Sequence, residues 1–283
     1  MEVNKATPAW LDPSHPNFKR WETARNLSIE RGKFVRSIIE QQIKVQYLTV
    51  LDLGSGEGGT ANVFSQDNFV VSFDLSLVRL QRQKEIVISK EGSYPTEKSV
   101  VNGTALQLPF SDHSFDLIII QDVIEHLNET KSFIKEVKRV LKPKGMIYLS
   151  TPNKYSIFNF ISDPHFGLPV VSVLKRESIK KYFLKYFRKN DLNRQDIAQL
   201  LSLNELIKLF SNNFDLQLKT KFTVKELFKG NKGIVWSNFH LKLISFCKAI
   251  KLDRLLIKIS NDKKGVLNKF FTPTFYITLK SLT

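Results

Sequence analysis

Apolar residues recur at near-helical spacing through "IERGKFVRSIIEQQI", at Ile29, Phe34, Val35, Ile38, Ile39 and Ile43, which predicts a helical segment over 17–43. The apolar run "YLTVLDL" at 47–53 then reads as a buried strand. From there the two periods alternate. A short helix is predicted over 60–66, a strand over 69–75, a helix over 76–90 and a short strand at "SVVNG". A strand over 114–122 follows, then a helix in "ETKSFIKEVKRVL" capped by Asn128 and stopped by "KPKG", then a strand in "MIYLSTPN". Strands alternating with amphipathic helices imply βαβ units and a parallel sheet.

After Asn153 the rhythm breaks. Residues 154–200 are rich in aromatics and lysine, centred on "DPHFGLPVVSVLKRESIKKYFLKYF". "SLNELIKLF" opens with the capping-box pair Ser202 and Glu205. "FDLQLKTKF" and "FTPTFYITLK" read as two last strands. The chain therefore reads as one elaborated domain. A helical cap spans 1–45, a core 46–153, a substrate-side insertion 154–200, and a C-terminal part 201–283 that carries a basic amphipathic insertion over 223–270.

Composition narrows the function classes. The chain has 283 residues and a single cysteine, Cys247, so neither an internal disulfide nor a cysteine metal cluster can form. "MEVNKATPAWLDPSHP" has no apolar signal core, and no apolar run approaches the roughly 18 residues that span a bilayer, so a cytoplasmic protein is expected. The net charge of +16 is unevenly placed. Residues 154–283 hold 24 Lys and Arg against 9 Asp and Glu, whereas 1–153 hold 19 against 18. The second half is suited to an anionic partner: lipid headgroups, a phosphorylated substrate or nucleic acid. A solvated lysine surface is the plain alternative. The stretch 234–259 interleaves apolar residues with Lys242, Lys248, Lys251, Arg254 and Lys258. It reads as a lid packed on its own domain or as a helix pair lying on an anionic inner membrane face.

The densest chemistry lies in "VLDLGSGEGGT". Gly54, Gly56 and Gly59 satisfy G-x-G-x-x-G, and Asp74 stands 20 residues after Gly54, as in an NAD site. Two acids argue for a different ligand. Glu57 lies inside the turn, where a pyrophosphate meets like charge, and Asp52 ends the strand. Acids there suit an ammonium and a sulfonium, which S-adenosylmethionine (SAM) carries together with a ribose for Asp74 and no phosphate.

"VLDLGSGEGG" resembles the first motif of the class I SAM-dependent methyltransferases, and "FDLS" at 73–76 their acidic second motif. "GTALQLPFSDHSFDLIIIQDVIEHL" and "LKPKGMIYLSTPN" resemble the following segments, in order, across 50–153. The resemblance implies an α/β, Rossmann-like, seven-stranded, mostly parallel sheet with an antiparallel last strand, helices on both faces, and lid insertions after strands five and six. It implies SAM as cofactor, with Gly54 and Gly56 at close backbone approach and Asp52 near the amino acid end. Asp74 then binds both ribose hydroxyls, Ala105 offers its N–H to adenine, and Gln121 lies beside the methionine portion. Thr104 stands where the family usually has aspartate; its hydroxyl is a neutral, weaker acceptor for the adenine amino group.

Methyl transfer from a sulfonium is an in-line displacement, and an oxygen acceptor must also lose a proton. His126, in "QDVIEHL", and His165, in "DPHFGLP", are the candidate bases, each with a packing or turn role as alternative. Asp122, Glu125 and His126 echo the E-x-x-E-H pattern of the quinone O-methyltransferases, which bind magnesium there. Aspartate replaces the first glutamate, and no metal is expected. His15, His113 and His240 show no partner pattern. "QDVIEH" replaces the N-P-P-Y-type loop of base-N DNA methylation, Cys247 lies far from the core, and no RRM or KH signature supports a nucleic-acid partner. "TPN" with its aromatic insertion is similar to small-molecule O-methyltransferases, and "DPHFGLPVVSVL" to methyltransferases of bacterial cell-surface glycan assembly. The expected activity is O-methylation of a small-molecule or lipid-linked glycan-type acceptor. The alternatives are RNA methylation, a SAM-binding module without turnover, and an NAD-dependent enzyme.

Overall fold

In a computed structural model of the chain, residues 9–83, 98–192, 197–234 and 238–282 are described. Seven strands form one sheet: β1 (Thr49–Leu53), β2 (Phe69–Asp74), β3 (Lys98–Asn102), β4 (Phe115–Gln121), β5 (Leu141–Pro152), β6 (Phe214–Leu218) and β7 (Thr274–Ser281). Their order is β3-β2-β1-β4-β5-β7-β6. β1 through β5 pair in parallel, and β7 runs antiparallel to both β5 and β6. The strand order reverses beside β1, which opens a crevice at the carboxyl ends of β1 and β4, the usual place for a ligand in such sheets.

Helices cover both faces. α1 (Phe18–Asn26) and α2 (Ser28–Ile39) precede the sheet, α3 (Gly59–Phe64) follows β1, and α4 is described over 77–83. α5 (Thr130–Val140) joins β4 to β5, and α6 (Ile157–Ile161) follows β5. A helical stretch over 176–187, α7, continues the insertion, and α8 (Leu203–Phe210) leads to β6. α9 (Thr220–Lys229), α10 (Asn238–Ala249), α11 (Leu252–Ile259) and α12 (Val266–Phe270) separate β6 from β7.

Period-two alternation sorts the strand residues. Leu51, Leu53, Ile118, Ile120, Ile147 and Leu149 pack with α5 and α8 on one face. Val50, Leu117, Ile119, Met146 and Tyr148 pack with α2 and α3 on the other. Apolar side chains thus cover β1, β4 and β5 from both sides, which is why these segments read as continuous apolar runs.

Three local expectations are corrected. α5 takes Glu129, not Asn128, as its first flanking residue, with no side-chain cap bond. "KPKG" does not stop that helix, since Leu141 is already extended; the motif forms an irregularity where β5 shifts register against β4. "FDLQLKTKF" is a strand only to Leu218. Thr220 begins α9, and Phe222 stacks on Phe34 with ring centroids 6.3 Å apart. The capping box is present: Ser202 Oγ accepts from Glu205 N at 3.3 Å, and Glu205 Oε2 accepts from Ser202 N at 2.7 Å. Such a cap contributes about 1 kcal/mol. Residues 84–90 of the predicted 76–90 helix, and 235–237 of the amphipathic stretch, lie outside the described residues.

Candidate active site

The glycine loop is pinned before it is shaped. Phe73 O accepts from Gly54 N at 2.7 Å and from Ser55 N at 3.1 Å, tying the end of β1 to β2. Gly54, Gly56 and Gly58 then take left-handed φ values of 79°, 54° and 80°. A Cβ on Gly54 would meet Val123 Cγ2 at 2.3 Å, so no other residue fits there. Over Gly56 the nearest neighbour of such a Cβ is Arg79 Nη1, at 4.0 Å. At Gly56 the loop therefore presents bare backbone to open space, while Gly54 and Gly58 are packed against Val123 and Gln83.

Asp74, buried at the end of β2, aims its carboxylate at this loop. Oδ2 accepts from Gly56 N at 2.9 Å and Oδ1 from Ser76 N at 2.8 Å. Each oxygen keeps a further lone pair for a hydroxyl. Asp52 is buried beneath the loop. Glu57 is held by Arg82 at 3.1 Å. Its charge is compensated, so the case against a pyrophosphate rests on Asp52 rather than on Glu57. Thr104 Oγ1 accepts from Leu106 N at 3.3 Å, bracing the turn that contains Ala105. Gln121, ending β4, donates to Thr60 Oγ1 at 2.7 Å and so joins the strand to the start of α3.

A second cluster is built by the turn after β4 and the insertion. Asp122 sits at φ 52° just past β4 and accepts from Arg31 Nη2 of α2 at 2.7 Å. It is thus engaged by an arginine instead of completing the Asp122, Glu125, His126 triplet. Glu125 is buried, with Thr151 Oγ1 donating to its Oε2 at 2.9 Å. Burial, reinforced by Asp122, pushes its carboxyl up to about 8, with Arg31 opposing. The insertion folds back over this turn. Glu125 O accepts from Gln199 N at 2.8 Å and from Arg176 Nη2 at 3.0 Å.

His165 arrives on that same insertion. Asp163 Oδ1 accepts from His165 N at 2.8 Å and from Phe166 N at 2.9 Å, and Asn17 Nδ2 donates to His165 O at 2.7 Å. The His165 and His126 rings meet edge-to-face with centroids 5.1 Å apart. His165 Nε2 lies 3.9 Å from Glu125 Oε1. One ligand atom from each of Glu125, His126 and His165 lies within 4.8 Å of the others. Such a set can relay a proton, and its donor types also suit a divalent ion.

The structure thus brings the two candidate bases together, with Glu125, already noted beside His126, as their buried carboxyl neighbour. It also adds groups the sequence did not single out. Arg31 is a cation at the tip of β4. Gln83 joins the loop to β2: its Oε1 accepts from Ser55 Oγ at 3.5 Å, and its Nε2 donates to Ser72 Oγ at 2.7 Å. Trp10 is sandwiched by guanidinium groups, with Arg79 at 5.1 Å and Arg25 and Arg82 each at 6.0 Å. His15, which showed no partner pattern, pairs with buried Asp191 at 3.2 Å and ties the N-terminal segment to the insertion.

Residues 51–149 match the family model for a methyltransferase domain. The chain is 35% identical over 105 residues to the glycine/sarcosine/dimethylglycine N-methyltransferase of Actinopolyspora halophila, covering 36% of this chain and 18% of that one. It is 25% identical over 150 residues to the "Probable tocopherol O-methyltransferase, chloroplastic" of Oryza sativa subsp. japonica, covering 50% and 41%. These matches span well under two thirds of either relative's length. The S-adenosylmethionine dependent methyltransferase of Mesorhizobium loti shares the fold, with a TM-score of 0.55 at 12% identity over 89% of this chain and 97% of that one. The segment 51–149 is a methyltransferase domain of the SAM-dependent kind, set within a longer chain.

Proposed function

We propose that the chain transfers the methyl group of SAM to an oxygen of a small-molecule or lipid-linked glycan-type acceptor. The observation that carries this reading is the convergence of His126 and His165 beside Glu125, on the turn that follows β4. Gly54 and Gly56 approach the cofactor, Asp74 takes the ribose hydroxyls, Ala105 N–H meets adenine, and Asp52 and Gln121 flank the amino acid end. The sulfonium, when bound, supplies an electrophilic methyl group. The protein orients the acceptor and takes its proton. An imidazole of the His126–His165 pair accepts that proton as the oxygen attacks, and Glu125 lies within reach of the resulting charge. The folded-back insertion, bonded to Glu125 through Arg176 and Gln199, excludes water from the reacting atoms.

Incubation with methyl-labelled SAM and fractionated cell extract tests the acceptor class. Label is expected in the free-sugar and lipid-linked glycan fractions, as alkali-stable ethers. Label that ribonuclease releases from the RNA fraction would overturn the glycan reading.

A further inference from the structure

We propose that α6 and α12 form one apolar shelf that seats on an anionic lipid surface. The inference rests on the reading above only for the side from which acceptor enters; the lipid contact itself is independent of turnover.

α6 turns almost its whole surface outward. Ile157, Phe158, Phe160 and Ile161 are exposed, as is Tyr155 just before them. The inward residue is Asn159, whose Nδ2 donates to Asn153 O at 2.9 Å and to Pro273 O at 2.7 Å. α12 does the same with Val266, Phe270 and the following Phe271. These eight side chains are between 44% and 68% exposed. Asn153, which precedes α6, links the two helices. Asn153, fully buried, donates from Nδ2 to the carbonyls of Asn268, Lys269 and Thr272 at 3.3, 3.0 and 2.8 Å. Two buried asparagines thus tie two outward-facing apolar helices to the same strand ends. An apolar surface held open in this way marks an interaction site.

Charge selects the partner. Lys263 and Lys264 are exposed and Lys269 half-exposed beside the shelf, and none of them forms an ion pair among the described residues. Asp262, their acidic neighbour, accepts from the backbone N–H of Lys221. Lys154, by contrast, is already paired with Glu205 at 3.3 Å. A second copy of this chain would bring the same lysines against these. Anionic headgroups complement them, and the aromatic and branched side chains suit the headgroup boundary. No described helix is long and apolar enough to cross a membrane, so the contact is peripheral.

Position ties the shelf to the site. α6 follows the carboxyl end of β5, α12 precedes β7, and those strand ends pair at Pro152 and Thr274. His165 lies four residues beyond Ile161 on the same edge. A lipid-borne acceptor would meet the site there.

Vesicle co-sedimentation tests this. The protein should pellet with phosphatidylglycerol vesicles and stay in solution with phosphatidylcholine vesicles. The triple change Phe158→Ser, Ile161→Ser, Phe270→Ser should lower the bound fraction by about tenfold or more. Lys263→Gln, Lys264→Gln, Lys269→Gln should do likewise. Both variants should bind SAM as the parent does, which shows that they fold. The proposal is overturned by equal binding to neutral vesicles, by full binding of the triple serine variant, or by displacement with bulk tRNA. Loss confined to changes at Lys242, Lys248, Lys251 and Lys258 would move the contact to α10 and α11 and overturn it too. A concentration-dependent dimer abolished by the serine changes would assign the shelf to a second copy.

Discussion

Asp74→Ala weakens SAM binding by roughly 1.5–3 kcal/mol, about 10- to 100-fold in Kd, the range for a hydrogen bond to a charged group. Two losses combine. In the proposed site the ribose hydroxyls lose a charged acceptor, and the brace that Asp74 gives to Gly56 N of the glycine loop and to Ser76 N after β2 is lost. Asp74→Asn separates them, because its amide oxygen can still take a backbone N–H while the second oxygen becomes a donor. The asparagine variant should fall between parent and alanine. Titration calorimetry reads the affinity and circular dichroism the fold. Unchanged affinity in a folded Asp74→Ala protein removes the ribose assignment.

The second large effect falls on turnover. Replacing the imidazole that acts as base should lower kcat by about 10²–10⁴-fold, the usual contribution of a positioned base. His126→Ala and His165→Ala identify it between them, with SAM affinity unchanged in both, because neither ring belongs to the cofactor wall. The second histidine, in edge contact with the first at 5.1 Å, should show a smaller loss. A fall of less than about threefold in both variants, far below what a base contributes, returns both rings to a packing role. Inhibition by EDTA reversed by a divalent ion would make Glu125, His126 and His165 a metal site instead.

The core was legible because its strands are buried on both faces and read as uninterrupted apolar runs, from "VLDL" to "MIYLS". The Ser202–Glu205 box was legible because both of its bonds lie within one turn. The end of β6 was misread for a local reason. Phe214, Leu216, Leu218 and Phe222 continue an even-numbered alternation, so the switch to a helix at Thr220 leaves no break in the pattern. The glycine loop and Asp74 carry residue types in fixed spacing and could be singled out in the sequence. His126 and His165 could be singled out too, but their contacts could not. Arg31 meets Asp122 across 91 residues, and His126 meets His165 only because the insertion folds back through Arg176 and Gln199. The aromatics after Asn153 were visible as composition. That α6 faces them outward depends on the bonds of Asn159, which no periodicity reveals.

In the proposed function the glycine loop holds SAM and not a dinucleotide. Since Glu57 is compensated by Arg82, the discrimination falls to Asp52 and to the open backbone at Gly56. Calorimetric titration of the purified chain with SAM and, separately, with NAD tests it directly. Saturable binding of SAM with no heat from NAD is the predicted result. Saturable binding of NAD with none of SAM would contradict the account.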